Sequence, residues 1–252
     1  MGKVIAIVNQ KGGVGKTTTC VNTAAALKEA GKRVLMVDFD PQGNATSGFG
    51  VDKQTSPNIY DVIIGRADIR NAVYGTPYAD IVPSNKQLSG AEPELLAERD
   101  RELRLRGALA PIKGNYDYIM VDSPPTLTLL TVQCLCAADS VLIPVQCEYY
   151  ALEGLSDLMF TLRAVRKSLN PPLDIEGILL TMYDARVNLT FQVTEEVKRH
   201  FPGQVYACVI PRSVRLSEAP SHGRPIQHYD RYSKAAESYN ALAAEILRKN
   251  SK

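Results

Sequence analysis

Short apolar, β-branched runs alternate along the chain with longer amphipathic or alanine-rich stretches. Residues 3–8 read Lys-Val-Ile-Ala-Ile-Val, and 33–37, 79–82, 116–121, 140–145, 175–180 and 205–210 have the same character. Short, predominantly apolar runs of this length are what a strand covered on both faces of a parallel sheet carries. Between them the spacing predicts helices over 17–30, 93–109, 127–137, 152–169, 191–201 and 233–248, with Gly31 stopping the first. The stretch 43–77 is rich in Gly, Asn, Ser and Thr and predicts a loop holding one short helix near 59–64. Strand–helix alternation implies an α/β fold, a mainly parallel twisted sheet with helices on both faces. With no repeat and no low-complexity linker, one domain over 1–252 is expected, without a separate N-terminal DNA-binding domain.

In such sheets ligands bind beyond the carboxyl ends of the strands. At the end of the first strand stands Lys11-Gly12-Gly13-Val14-Gly15-Lys16-Thr17-Thr18, followed by the first predicted helix. A strand, a glycine turn and a helix N-terminus make an anion site, with backbone N–H groups pointing inward and the helix dipole adding positive charge. Lys16 would reach the β- and γ-phosphates of a nucleotide, and the Thr17 hydroxyl would ligate Mg2+. The generic pattern G-x-x-x-x-G-K-[ST] is not met, because position 10 is Gln10. Lys11 is a second lysine that an ordinary phosphate loop does not need; on the residues alone it fits a solvated loop position equally well.

Two further strand ends carry carboxylates. The run through Val37 enters Asp38-Phe39-Asp40, and the run through Val121 enters Asp122-Ser123-Pro124. If these strands are parallel neighbours, Asp40, Asp122 and Thr17 converge on one sheet edge as hard oxygen ligands for Mg2+. Strand alternation puts Asp38 and Asp40 on one face. Asp40 lies nearer a γ-phosphate and suits water activation, leaving Asp38 a structural part.

Composition narrows the field. With 252 residues, 45% hydrophobic and 22% charged, the chain suits a soluble globular protein, and no apolar run reaches the ~20 residues of a membrane span. The first strand begins too early to leave room for a signal peptide. A net charge of +2 requires any nucleic-acid contact to come from a local patch. Cys20, Cys134, Cys136, Cys147 and Cys208 are odd in number and lack C-x-x-C spacing, which reads as reduced thiols in a cytoplasmic protein.

Asn9-Gln10-Lys11-Gly-Gly-Val-Gly-Lys16-Thr17-Thr18-Thr19 resembles the deviant Walker A motif of the ParA/MinD ATPases. Asp38-Phe-Asp40-Pro-Gln-Gly-Asn resembles their switch I, and Asp122-Ser-Pro-Pro their Walker B, with Ser123 where many members have Cys. Pro144-Val-Gln-Cys-Glu148-Tyr-Tyr-Ala-Leu-Glu153 and Pro211-Arg-Ser-Val-Arg215-Leu-Ser-Glu-Ala-Pro are similar to the Soj-like chromosomal branch. The resemblance runs along nearly the whole chain and implies a P-loop NTPase fold.

It further implies that ATP drives two chains into a face-to-face dimer, in which Lys11 reaches the phosphates of the other chain's ATP. Lys11, Lys16 and Asp40 would then be catalytic. Gly12, Gly13, Val14, Gly15, Lys16, Thr17 and Thr18 would line the phosphates, and Pro211 and Arg212 would approach adenine. Thr17, Asp40 and Asp122 would hold Mg2+. Arg186 and Arg215 would contact double-stranded DNA without sequence preference. A ParB-type centromere-binding protein would stimulate hydrolysis through its basic N-terminal tail. The protein is accordingly expected on the nucleoid, with no membrane partner. A MinD-like membrane switch would need a basic amphipathic C-terminal helix, and there is too little apolar surface beyond Leu247 for one. A metabolic ligase would need an acceptor pocket the sequence does not reveal, and an iron–sulfur carrier would need suitably paired cysteines.

Overall fold

The computed structural model describes residues 2–251. Eight strands form one sheet: β1 (Lys3–Ile7), β2 (Val34–Asp38), β3 (Tyr74–Gly75), β4 (Asp80–Val82), β5 (Tyr118–Asp122), β6 (Ser140–Gln146), β7 (Asp174–Tyr183) and β8 (Val205–Pro211). Their order is β3-β4-β2-β5-β1-β6-β7-β8, parallel except for β3, which runs antiparallel to β4 at one edge. Eleven α-helices accompany them among the described residues: α1 (Lys16–Glu29), α2 (Asn44–Gly48), α3 (Ile59–Ile63), α4 (Ala91–Glu94), α5 (Arg104–Leu109), α6 (Leu129–Ala137), α7 (Ala151–Ser168), α8 (Asn188–His200), α9 (Val214–Glu218), α10 (Ile226–Tyr229) and α11 (Lys234–Lys249). The α/β class and parallel sheet expected from the sequence are present.

Strand alternation builds two cores. Val4, Ala6 and Val8 face one cluster with Leu35, Val37, Ile119 and Val121, capped by α6, α7 and α8 through Leu135, Leu158 and Val197. Ile5 and Ile7 face the other with Met36, Met120 and Leu142, capped by α1 and α11 through Leu27, Leu242 and Ile246. Both faces of the central strands are therefore dry, which is why their sequences show no polar alternation. Ser233 caps α11 by accepting from the Ala236 N–H at 3.2 Å.

The helix expected over 93–109 is interrupted. α4 ends at Glu94, and helical structure resumes through a 3-10 turn into α5. Asp100, just before that turn, sits in the left-handed region at φ 56°. Leu96 is exposed while Leu95, Leu105 and Leu109 are buried, so the charged run 97–102 has no continuous apolar stripe to hold a helix on the core. The stretch 43–77 holds not one short helix but α2, α3 and the edge strand β3. α9 and α10 also add to the expected set.

At the β8 edge the Glu245 carboxylate accepts the Ala207 and Cys208 backbone N–H groups at 3.0 and 2.8 Å. A side chain of α11 thus occupies part of the edge that another strand would use.

Candidate nucleotide site

β1, β2 and β5 end level. Ile7 pairs with Asp122, and Asp38 pairs with Asp122 from the other side, so three carboxyl ends open onto one edge. The loop after β1 climbs from this edge to α1. Gly13 and Gly15 hold φ of 77° and 89°, a conformation side chains resist. Gly15 is the N-cap of α1, which has no side-chain cap and no acidic residue in its first turn. Its first N–H groups are thereby left for an anion.

Asn9 fixes the entry to the loop. It is buried, donates Nδ2 to the Pro144 carbonyl at 2.7 Å, and accepts the Lys11 N–H at 2.9 Å. Lys16 is 7% exposed, and its Nζ donates to the Lys11 carbonyl at 3.0 Å. Burial lowers the Lys16 pKa, opposed by the charges of Asp122 and Asp40. The loop therefore holds a nearly dry cation facing two carboxylates.

The three carboxylates differ sharply in how they are satisfied. Asp38 is fully buried and accepts the Thr46 N–H and hydroxyl, each at 2.7 Å, and the Asp40 N–H at 3.2 Å. Burial raises its pKa against these hydrogen bonds. It fastens the loop after β2 to α2. Among the described residues the Asp40 carboxylate accepts only the Gln42 N–H, at 2.9 Å, and its backbone carbonyl is held by the Ser84 hydroxyl at 2.8 Å. Its pKa is raised by burial and held back by that N–H and by Lys16 and Lys53. Asp122 is fully buried, and neither carboxylate oxygen has a hydrogen-bond partner. Burial and then the Asp38 charge push its pKa well above the carboxylate range, helped by Asp40 and opposed by Lys16 and by the Thr17 hydroxyl, which lies near enough to favour the charge without completing a hydrogen bond to it.

An orphaned buried carboxylate beside a threonine hydroxyl suits a divalent cation, whose charge and water shell would satisfy both oxygens. Among the described residues no three His, Cys, Asp or Glu side chains gather into a self-sufficient metal site.

Pro211 and Arg212 line a cavity of about 380 Å3 that also touches Gly15 and Thr18 of the loop, together with Thr181 and Met182. Thr181 donates its hydroxyl to the Val14 carbonyl at 2.8 Å, tying β7 to the phosphate loop. Met182 is left-handed at φ 51°. Sequence reasoning missed both, although they sit at a strand's carboxyl end where ligands gather. It missed the Thr46 and Ser84 clamp too, which depends on α2 lying beside the residues that follow β4.

Lys11 lies at this edge, but its ammonium is paired with Glu148 of the same chain, in the β6–α7 loop. Arg186 and Arg215 stand three and four residues beyond the paired positions Tyr183 and Pro211 of β7 and β8. Both are surface ion pairs, Arg186 with Asp184 at 2.7 Å and Arg215 with Glu218 at 3.0 Å and Asp230 at 3.5 Å. Close by, Gly50 after α2 packs backbone to backbone on Gly223, where an added Cβ would lie 2.6 Å from the Gly50 Cα. The five cysteines are free, with Cys20, Cys134 and Cys136 buried.

The AAA-domain family profile matches residues 2–175. The sporulation initiation inhibitor protein Soj of Bacillus subtilis is 58% identical over 249 residues, 98% of each chain. The chromosome partitioning protein ParA of Myxococcus xanthus is 52% identical, covering 99% of this chain and 89% of its own. A crystal structure described as cobyrinic acid a,c-diamide synthase from Mycobacterium smegmatis, with bound ATP analogue and magnesium, superposes with a TM-score of 0.88. It is 36% identical and covers 100% of this chain and 98% of its own. With a phosphate loop, level carboxylate strand ends and this similarity along its length, the chain belongs to the ParA/Soj family of chromosome-partitioning P-loop ATPases.

Proposed function

We propose that the chain is an ATP-dependent DNA-partitioning switch whose ATP-bound form is a dimer on DNA and whose hydrolysis releases it. The observation that carries the nucleotide half is Asp122, buried and unpartnered beside Lys16 and Thr17. Gly12 to Thr18 hold the phosphates, with Lys16 on the β/γ pair, and Pro211 and Arg212 border the base. Thr17, Asp122 and Asp40 would hold Mg2+, which would supply positive charge beside the phosphates. Asp40, with one carboxylate oxygen unused by the protein, orients the attacking water and accepts its proton. Lys11, delivered from the partner copy, supplies a cation to the transferring phosphoryl group. A lone chain hydrolyses slowly for want of it.

Arg186 and Arg215 give the DNA half. Each already has a carboxylate partner, so either alone is a weak phosphate contact. A dimer presents both twice on one surface, which raises avidity without strong net charge. A ParB-type protein bound at a centromere would accelerate hydrolysis with a basic segment and so release DNA locally.

The name of the Mycobacterium smegmatis neighbour would suggest amide synthesis, but the Soj and ParA relatives match at higher identity over nearly the whole chain. No helix of the described residues is long and apolar enough to cross a membrane. The apolar face of α11, Ala235, Tyr239, Leu242 and Ile246, is buried in the core, which leaves a bilayer little to bind. Sedimentation with liposomes and ATP tests this, and ATP-dependent pelleting would overturn it.

Size-exclusion chromatography with ATP and Mg2+, with and without DNA, tests the proposal. Wild type is expected to dimerise transiently, Asp40→Ala to remain an ATP dimer on DNA, and Lys11→Ala to stay monomeric. A monomeric Asp40→Ala protein at saturating ATP would refute it.

A further inference from the structure

The Lys11–Glu148 pair conflicts with the role proposed for Lys11. A lysine that serves another chain's nucleotide is here neutralised by a carboxylate of its own chain. The rest of the loop leaves Lys11 little freedom to move as a whole. Its N–H is held by Asn9, its carbonyl by the Lys16 ammonium, and neighbouring Gln10 donates to the Thr161 hydroxyl of α7 at 3.1 Å. Only the side chain can swing. Glu148 opens the turn into α7, with Ala151 donating its N–H to the Glu148 carbonyl at 3.0 Å. Its carboxylate makes no other hydrogen bond among the described residues.

We propose that Glu148 is a latch for Lys11: it stores the lysine on its own chain until a second nucleotide-loaded copy offers it phosphates. This rests on the reading of Lys11 as the group delivered in trans. Two properties suit a latch. The pair is about one-third exposed on each side, 34% and 36%, so it is held by screened attraction and is readily broken. A nucleotide's phosphates carry more negative charge than one carboxylate and outcompete it once they are within reach. The pair also suppresses an unpartnered cation at the mouth of the molecule's own site. Tyr149 and Tyr150, exposed beside Glu148, would be covered by the same approach that opens the latch.

Releasing an exposed pair of this kind opposes dimerisation by about 1.4- to 5-fold, and two are released per dimer, so about 2- to 25-fold in all. The test measures the dimer dissociation constant by light scattering with Mg2+ and a slowly hydrolysed ATP analogue. Glu148→Gln, which keeps shape and removes charge, is expected to tighten the dimer by that factor, and Glu148→Asp to fall between it and wild type. Amine labelling of the nucleotide-free monomer, read by mass spectrometry, is the second measurement. Lys11 is expected to react more slowly than the exposed Lys28, with the gap narrowing in Glu148→Gln. An unchanged or weaker dimer, or unchanged Lys11 labelling, overturns the latch. If Lys11→Ala still forms the dimer, the trans role itself fails. If Lys11→Ala blocks the dimer while Glu148→Gln leaves its constant unchanged, only the latch fails.

Discussion

Replacing Asp122 with asparagine should make the nucleotide-free protein more stable and the nucleotide-loaded protein less so. Both Asp122 oxygens are buried without a partner, opposite Asp38 in the strand register. An unsatisfied buried polar group costs about 1–3 kcal/mol, and a charge next to another carboxylate costs more. Asparagine fills the same volume, carries no charge, and brings an amide that can donate toward Asp38. A net gain of about 1–2 kcal/mol is expected, or about 2–8 °C in melting temperature for a chain of this size. Ligand stabilisation works in the opposite sense. At one hundred times its dissociation constant, a nucleotide adds about 2.7 kcal/mol to wild type. The part of that increment requiring Mg2+ should disappear in Asp122→Asn, while the part seen with ADP and EDTA should survive. Differential scanning calorimetry of both proteins, alone, with ADP and EDTA, and with ADP and Mg2+, measures each quantity. A variant that melts lower than wild type without nucleotide, or keeps the full Mg2+ increment, would show that Asp122 is not held ready for a cation.

Thr46→Val removes the hydroxyl that donates to Asp38 at 2.7 Å and accepts the Ser84 N–H at 2.9 Å, both buried; urea unfolding should show a loss of about 2–4 kcal/mol. Arg215→Ala breaks exposed surface pairs with Glu218 and Asp230 and should change the melting temperature little, while DNA affinity weakens equally across sequences. The slope of log affinity against log salt should fall by about 0.9 for each phosphate no longer neutralised, and an unaltered slope would remove Arg215 from the interface. The Cys208 thiol is pushed up to about 12, by burial first and then by the Glu245 carboxylate. The thiolate is the reactive form, so iodoacetamide at pH 8 should modify Cys208 about a thousandfold more slowly than a free thiol. Glu245→Gln should speed that reaction, and mapped peptides showing Cys208 modified within minutes in the wild type would contradict the assignment.

The sheet was legible because its strands are covered on both sides. Stretches such as 118–121 have no polar alternation to confuse them, and the carboxylates follow directly at Asp38 and Asp122. The phosphate loop was legible because glycines at 13 and 15 do what other residues cannot do there. Elements fixed by long-range packing were not legible. α2 exists because Asp38 and Ser84 hold Thr46, and nothing in Asn-Ala-Thr-Ser-Gly announces a helix. The break near Asp100 depends on which leucines find the core, and a charged segment with a leucine at every few positions reads as helix until that is known. The Lys11 partner was hidden for the same reason: Glu148 is 137 positions away, and only the β1–β6 pairing brings the two loops together.

The Glu245 carboxylate on the β8 edge has a consequence for behaviour in a crowd. Wherever copies of a chain meet at high local density, any open strand is an invitation to grow fibres. At one margin of the sheet β3 is only two residues long. At the other, one acidic side chain occupies two of the backbone donors that a stacking neighbour would need. Growth by sheet extension is thereby discouraged at both margins, and any contact between copies is left to surfaces other than the strand edges.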